Sequence, residues 1–159
     1  AAILSGRHAH GYPGDCGGFI HGVVRSGARI SDSPIDRRDM IEHPNVLVLL
    51  DETLLEVFGS EVGSPGPEGL LIVNTARTAE SIRSELGGNP PAVRTVGLDP
   101  AAGWPDAAVL AELAHALPWC SLDRMKDALR SVLLGIDAGV LAESMSLMDR
   151  IHARTADQQ

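Results

Sequence analysis

Cysteine is nearly missing from this chain: Cys16 and Cys120 stand about a hundred residues apart, too few thiolates for an iron–sulfur cluster or a structural zinc site. Two separate thiols are expected rather than a disulfide. Aromatic residues are equally scarce, at 3% of the sequence, which leaves no stacking platform for nucleic-acid bases. Basic charge is in deficit, with 13 Lys and Arg against 21 Asp and Glu, and a net charge of −8 repels phosphate backbones at long range. Nucleic acid is thereby excluded as a partner class. Long apolar runs are absent as well. The longest, Val46-Leu47-Val48-Leu49-Leu50, is far shorter than the roughly 20 residues of a membrane span. The opening Ala1-Ala2-Ile3-Leu4 has no basic stretch before an apolar core, so nothing reads as a secretory signal and a soluble, cytoplasmic protein is expected. Because the chain opens without methionine inside an apolar segment, an N-terminal piece is expected to precede residue 1.

What is present is enough for one core. Hydrophobic residues make up 44% of 159 positions, and a domain of this size buries roughly 70% of its unfolded surface. Residues 46–50, bounded by Pro44 and Asp51, read as a strand buried on both faces, as parallel sheets require. Residues 70–73 and 92–98 repeat that pattern. Between them, Leu54, Leu55 and Phe58 predict a helix over 52–58, and a second helix, capped by Asn74 or Thr75, runs to Leu86 before Gly87-Gly88. Pro105 opens a helix whose apolar face is Ala108, Leu110, Leu113 and Leu117. Ser121 caps another, and a last amphipathic helix is expected over 140–153. The first six residues read as a helix tail. Residues 7–18 read as loop, and 19–24 and 28–31 as two short strands, or one bent at Gly27. The expected fold is α/β: a single domain over 1–154, an open, mostly parallel sheet flanked by helices, with a short hairpin and a polar tail over 155–159.

Several side chains invite chemistry, each with a plainer reading beside it. His8 and His10 would share a face if extended and could hold a metal, but no third ligand is near, and a solvated loop is expected. Gly14-Asp15-Cys16-Gly17-Gly18 reads as a structural turn with a bystander thiol. Asp51 follows the surest strand at the carboxyl end, where open sheets place ligands, and reads first as a helix cap. Arg29 and Asp32 are expected to form a hairpin salt pair or to contact a partner chain. Met125, Met145 and Met148 are assigned to the core.

The segment Arg29-Ile30-Ser31-Asp32-Ser33-Pro34-Ile35 leads to Pro44-Asn45-Val46-Leu47-Val48-Leu49-Leu50-Asp51, then to Glu68-Gly69-Leu70-Leu71-Ile72-Val73-Asn74-Thr75. In residue type, order and spacing these blocks resemble the gamma subunit of the 2-oxoacid:ferredoxin oxidoreductases. The helix from Pro105 and the Ser121-Leu122-Asp123 segment continue the likeness. The family's strand and glycine-rich turn that open its first helix are absent, Cys16 precedes Gly17-Gly18 where the family has arginine, and Asp106 replaces an asparagine. The resemblance implies a gamma chain that holds no redox cofactor. Its partners would be alpha, beta and delta chains carrying thiamine diphosphate, Mg2+ and [4Fe-4S] clusters. The assembly would turn a 2-oxoacid and CoA into acyl-CoA and carbon dioxide and pass electrons to ferredoxin. Gly17, Gly18, Arg29, Asp32 and Asp51 become candidate interface or substrate-approach residues, with no catalytic or metal residue on this chain. Rival readings are a stand-alone α/β nucleotide-binding module, weakened by the lack of a glycine-rich fingerprint, and a non-catalytic structural subunit of a related assembly.

Overall fold

The computed structural model describes residues 1–12, 24–39, 41–57, 64–97, 105–133, 135 and 137–156. Strands β3 (Val46–Leu49), β4 (Leu70–Asn74) and β5 (Ala92–Val96) form a parallel sheet in that order. Val46 stands opposite Leu70, and Leu70 opposite Ala92. Alternation along the strands divides the apolar residues between two cores. Leu47, Leu49, Leu71 and Val73 pack on one face with Leu55 of the 3-10 helix Glu52–Val57 and Ile82 of α1 (Ala79–Leu86). Val46, Val48, Leu70 and Ile72 pack on the other, against α2 (Pro105–Ala116), α3 (Leu122–Val132) and α4 (Ala138–Ala156). Met125 and Met148 are buried there and Met145 packs against them, as the helical spacing predicted. The α/β reading holds: a parallel sheet covered on both faces, plus a hairpin.

Close approach sets one glycine. A Cβ on Gly69 would meet Pro65 at 2.6 Å and the Asn45 carbonyl at 3.0 Å, so only glycine lets the chain enter β4 beside β3. Ser121 caps α3 as expected, accepting from the Arg124 amide at 3.3 Å. Cys120, just before it, is a free, buried thiol whose pKa burial pushes up.

Four local expectations change. His8–Tyr12 is a strand, β1, not a loop, because β2 (Gly27–Ser31) pairs with it antiparallel, His8 opposite Ser31 and Tyr12 opposite Gly27. The predicted strand over 19–24 lies outside the described residues except for exposed Val24. Residues Glu52–Val57 wind as a 3-10 helix, not an α-helix. Helix α1 is capped by Thr78, whose side chain accepts from the Ser81 amide, and not by Asn74 or Thr75, which remain at the end of β4. The last helix also starts earlier and ends later than its apolar residues suggest. The Asp137 carboxylate accepts from the amides of Gly139 and Val140 at its start. Near its end the Thr155 hydroxyl bonds the Glu112 carboxylate, so the polar segment expected from 155 begins inside the helix.

Candidate functional site

The hairpin has two unlike faces. His10, Tyr12, Arg29 and Ser31 alternate onto the half-buried face, and Ala9, Gly11, Ala28 and Ile30 onto the exposed one. Ala9 stands opposite Ile30 and Gly11 opposite Ala28, which makes the outer face small and apolar. Ile30 is 39% exposed and Val24, just before β2, is 66% exposed.

On the inner face Arg29 is a hub. Its guanidinium donates to the Tyr12 hydroxyl at 2.5 Å and to the Asp39 carbonyl at 2.6 Å, and pairs with the Asp39 carboxylate at 3.3 Å. The Tyr12 hydroxyl donates in turn to the Arg37 carbonyl at 2.9 Å. These bonds fasten the segment at 37–39 to both strands. The Arg37 side chain, bonded to the Asp39 carboxylate, holds that carboxyl below its ordinary pKa, helped by its own backbone amide and the Arg29 charge. At the other end of the hairpin Arg7 pairs with Asp32 at 3.1 Å and lies 5.2 Å over the Trp119 ring, tying the hairpin to the connection between α2 and α3.

The carboxyl end of the sheet is a second cluster. Asp51 accepts from the Thr53 amide at 2.9 Å and hydroxyl at 2.8 Å, which lowers its pKa, amide first, and starts the 3-10 helix as a cap would. Asn74 donates to the Leu50 carbonyl at 3.1 Å, and the Thr75 hydroxyl bonds Glu52, so the ends of β3 and β4 are laced together. Beside β5 opens a cleft of about 580 Å³, lined by Thr75, Arg77, Thr78, Arg94, Glu112 and Arg154 among others.

Among the described residues no three His, Cys, Asp or Glu side chains converge where a metal ion could sit. His8 and His10 do share one face of β1, but His10 packs on Tyr12, ring centroids 4.6 Å apart, without a third ligand. No described helix is long and apolar enough to cross a membrane.

No protein-family model matches the chain. The common gamma subunit of the pyruvate/ketoisovalerate oxidoreductases of Pyrococcus furiosus is 29% identical over 147 residues, which span 85% of this chain and 76% of that protein. Pyruvate synthase subunit PorC of Thermotoga maritima is 34% identical over 95 residues, 56% of this chain and 45% of that one. The chain is similar to both of these oxidoreductase subunits. Its fold agrees: a pyruvate oxidoreductase subunit PORC from Thermotoga maritima superposes with a TM-score of 0.71 at 21% identity, covering 96% of this chain and 82% of that one.

In this chain the sequence-derived candidates do not form one site. Arg29 and Asp32 do not pair with each other. Three positions apart on extended chain they leave opposite faces, so Arg29 meets Asp39 and Asp32 meets Arg7. Asp51 belongs to the sheet end, and Gly17 and Gly18 lie outside the described residues. Two features escaped the sequence reading. The outer hairpin face could have been found from the alternation Ala28-Arg29-Ile30, which sets Ile30 opposite to its charged neighbour. The cleft carried no signal, because Arg77, Arg94 and Arg154 are far apart in sequence.

Proposed function

We propose that this gamma-type chain is a subunit of a 2-oxoacid:ferredoxin oxidoreductase that binds none of the redox cofactors itself, docking to a partner chain through the outer face of its hairpin. The observation that carries the reading is the identity with the common gamma subunit over 147 residues, a stretch that spans most of both proteins. Ala9, Ala28 and Ile30 supply the apolar contact, the kind of fully desolvated centre that interfaces use. Arg29 acts behind that surface, holding residues 37–39 in place, and Asp32 anchors the rim through Arg7. Asp51, exposed at the carboxyl end of β3, and Gly17-Gly18 are assigned to the approach of substrate or CoA along the partner.

In such an assembly thiamine diphosphate with Mg2+ on a partner chain supplies carbanion stabilisation, and [4Fe-4S] clusters supply one-electron transfer. The carboxyl group leaves as carbon dioxide, the acyl group passes to CoA sulfur, and the electron pair leaves to ferredoxin one electron at a time. This chain contributes no nucleophile or base to those steps. Its work is to complete the assembly, in the cytoplasm.

The test is anaerobic purification from the native host with mass spectrometry of whatever accompanies the chain. The expected result is co-purification of thiamine-binding and cluster-binding chains, with reduction of viologen that requires CoA and one 2-oxoacid. A chain that elutes alone, with no such activity in any fraction that contains it, overturns the proposal.

A further inference from the structure

Among the described residues β5 bonds only β4, and Val93, Arg94 and Thr95 of that strand line the cleft. One wall is the start of α1 and the other comes from α2 and α4. Three arginines from separate elements line the space: Arg77 before α1, Arg94 on β5 and Arg154 on α4. Glu112 is the one acidic residue among the lining side chains. It is 3% exposed, and both of its oxygens are engaged, one by Arg94 at 2.8 Å and the other by the Thr155 hydroxyl at 2.8 Å. Arg94 is paired with Glu112 and Arg77 with Glu85, so three cations meet two carboxylates and Arg154 carries the one positive charge in excess, in a chain whose net charge is −8.

The engagement of Glu112 also fixes geometry. It holds the Arg94 guanidinium at the cleft while leaving most of that group's N–H donors for another acceptor. Arg77 pairs with Glu85, which lies outside the lining, and donates to Ser81 at 3.2 Å, so its position is set by α1. Arg154 is exposed and makes no ion pair or hydrogen bond with any described residue. At the head of α1 the Thr78 side chain takes the Ser81 amide, and the preceding amides of Ala79 and Glu80 have no partner within the helix.

We propose that this cleft binds a small ligand through a phosphate group. Arginines from separate elements lining one cleft suit an acceptor with several oxygens, which phosphate has and a single carboxylate lacks. A volume of about 580 Å³ falls within the range of small-molecule sites and holds more than the phosphate alone. The proposal stands on the cleft and does not depend on the oxidoreductase reading.

The test is isothermal titration of the full chain, in whatever assembly it is isolated with, using pyrophosphate and ADP as probes. Saturable binding of pyrophosphate is expected, with ADP bound at least as tightly. Arg154→Gln and Arg77→Gln should each weaken it about tenfold, the value of one lost charge-assisted bond. Arg154→Lys should restore part of that loss, and Arg130→Gln, on the exposed face of α3, should change nothing. Arg154 is exposed and, among the described residues, unpaired, so its loss should leave the fold intact. No saturable binding at millimolar probe, or equal affinity in wild type, Arg154→Gln and Arg77→Gln, overturns the proposal.

Discussion

The parallel sheet and the hairpin belong to one chain and are held by different physics. In the sheet, Leu71, Ile72 and Val73 on the central strand are fully buried, and their stability comes from apolar area withdrawn from water. In the hairpin no residue of either strand is fully buried, and the strands are fixed by Arg29, Tyr12, Asp39 and the Arg7–Asp32 pair. The sheet should therefore be sensitive to lost volume, and the hairpin to salt and acid.

The largest break in that contrast comes from Ile72→Ala. Truncating a fully buried side chain against α2 and α4 should cost about 3 kcal/mol, read as a lowered urea midpoint for the whole chain. A loss under about 1 kcal/mol would mean that the core relaxes around the gap. Arg29→Ala should act locally. It removes the bonds to Tyr12 and Asp39, so limited proteolysis at Arg37 and Arg38 should accelerate several-fold, while the global midpoint moves by only about 1 kcal/mol. Equal rates in the two proteins would show that the strands hold the segment without it. Ser121→Ala, on the sheet side, should lower stability by about 1 kcal/mol through loss of the α3 cap, and Ser121→Asp should not.

Acid gives the smallest and most selective effect. Arg37 first, and the Asp39 amide with Arg29 after it, hold the Asp39 carboxyl below its unfolded pKa. Its contribution is therefore complete above the unfolded value and fades as pH falls through the folded one. Amide exchange at 37–39 should quicken in acid in the wild type, relative to intrinsic rates, while in Asp39→Asn it should be fast throughout. Parallel acid profiles in the two proteins would remove Asp39 from the account.

The same contrast explains what could be read in advance. Strands buried on both faces announce themselves as unbroken apolar runs, so β3 and β4 were legible, as was the Ser121 cap with its helix of recurring apolar residues. Strand β1 was not, because His8-Ala9-His10-Gly11-Tyr12 has no apolar run and becomes a strand only through a partner that begins at Gly27. Asn74 and Thr75 have the chemistry of caps, yet tertiary bonds to Leu50 and Glu52 claim them, leaving Thr78 to start α1. Leu54 and Leu55 suit an α-helix or a 3-10 helix alike. The likeness to gamma subunits was carried by block order and spacing, whereas the expected Arg29–Asp32 pair does not form, because alternation sends Arg29 to Asp39 and Asp32 to Arg7.

Amide hydrogen exchange, compared between the isolated chain and the purified assembly, tests the central claim most directly. Protection gained on assembly should concentrate in β1 and β2 and in residues 32–39, with the buried strands β4 and β5 unchanged. Protection gained elsewhere and not in the hairpin, or none gained at all, would contradict the proposal that the hairpin is the docking surface of this chain.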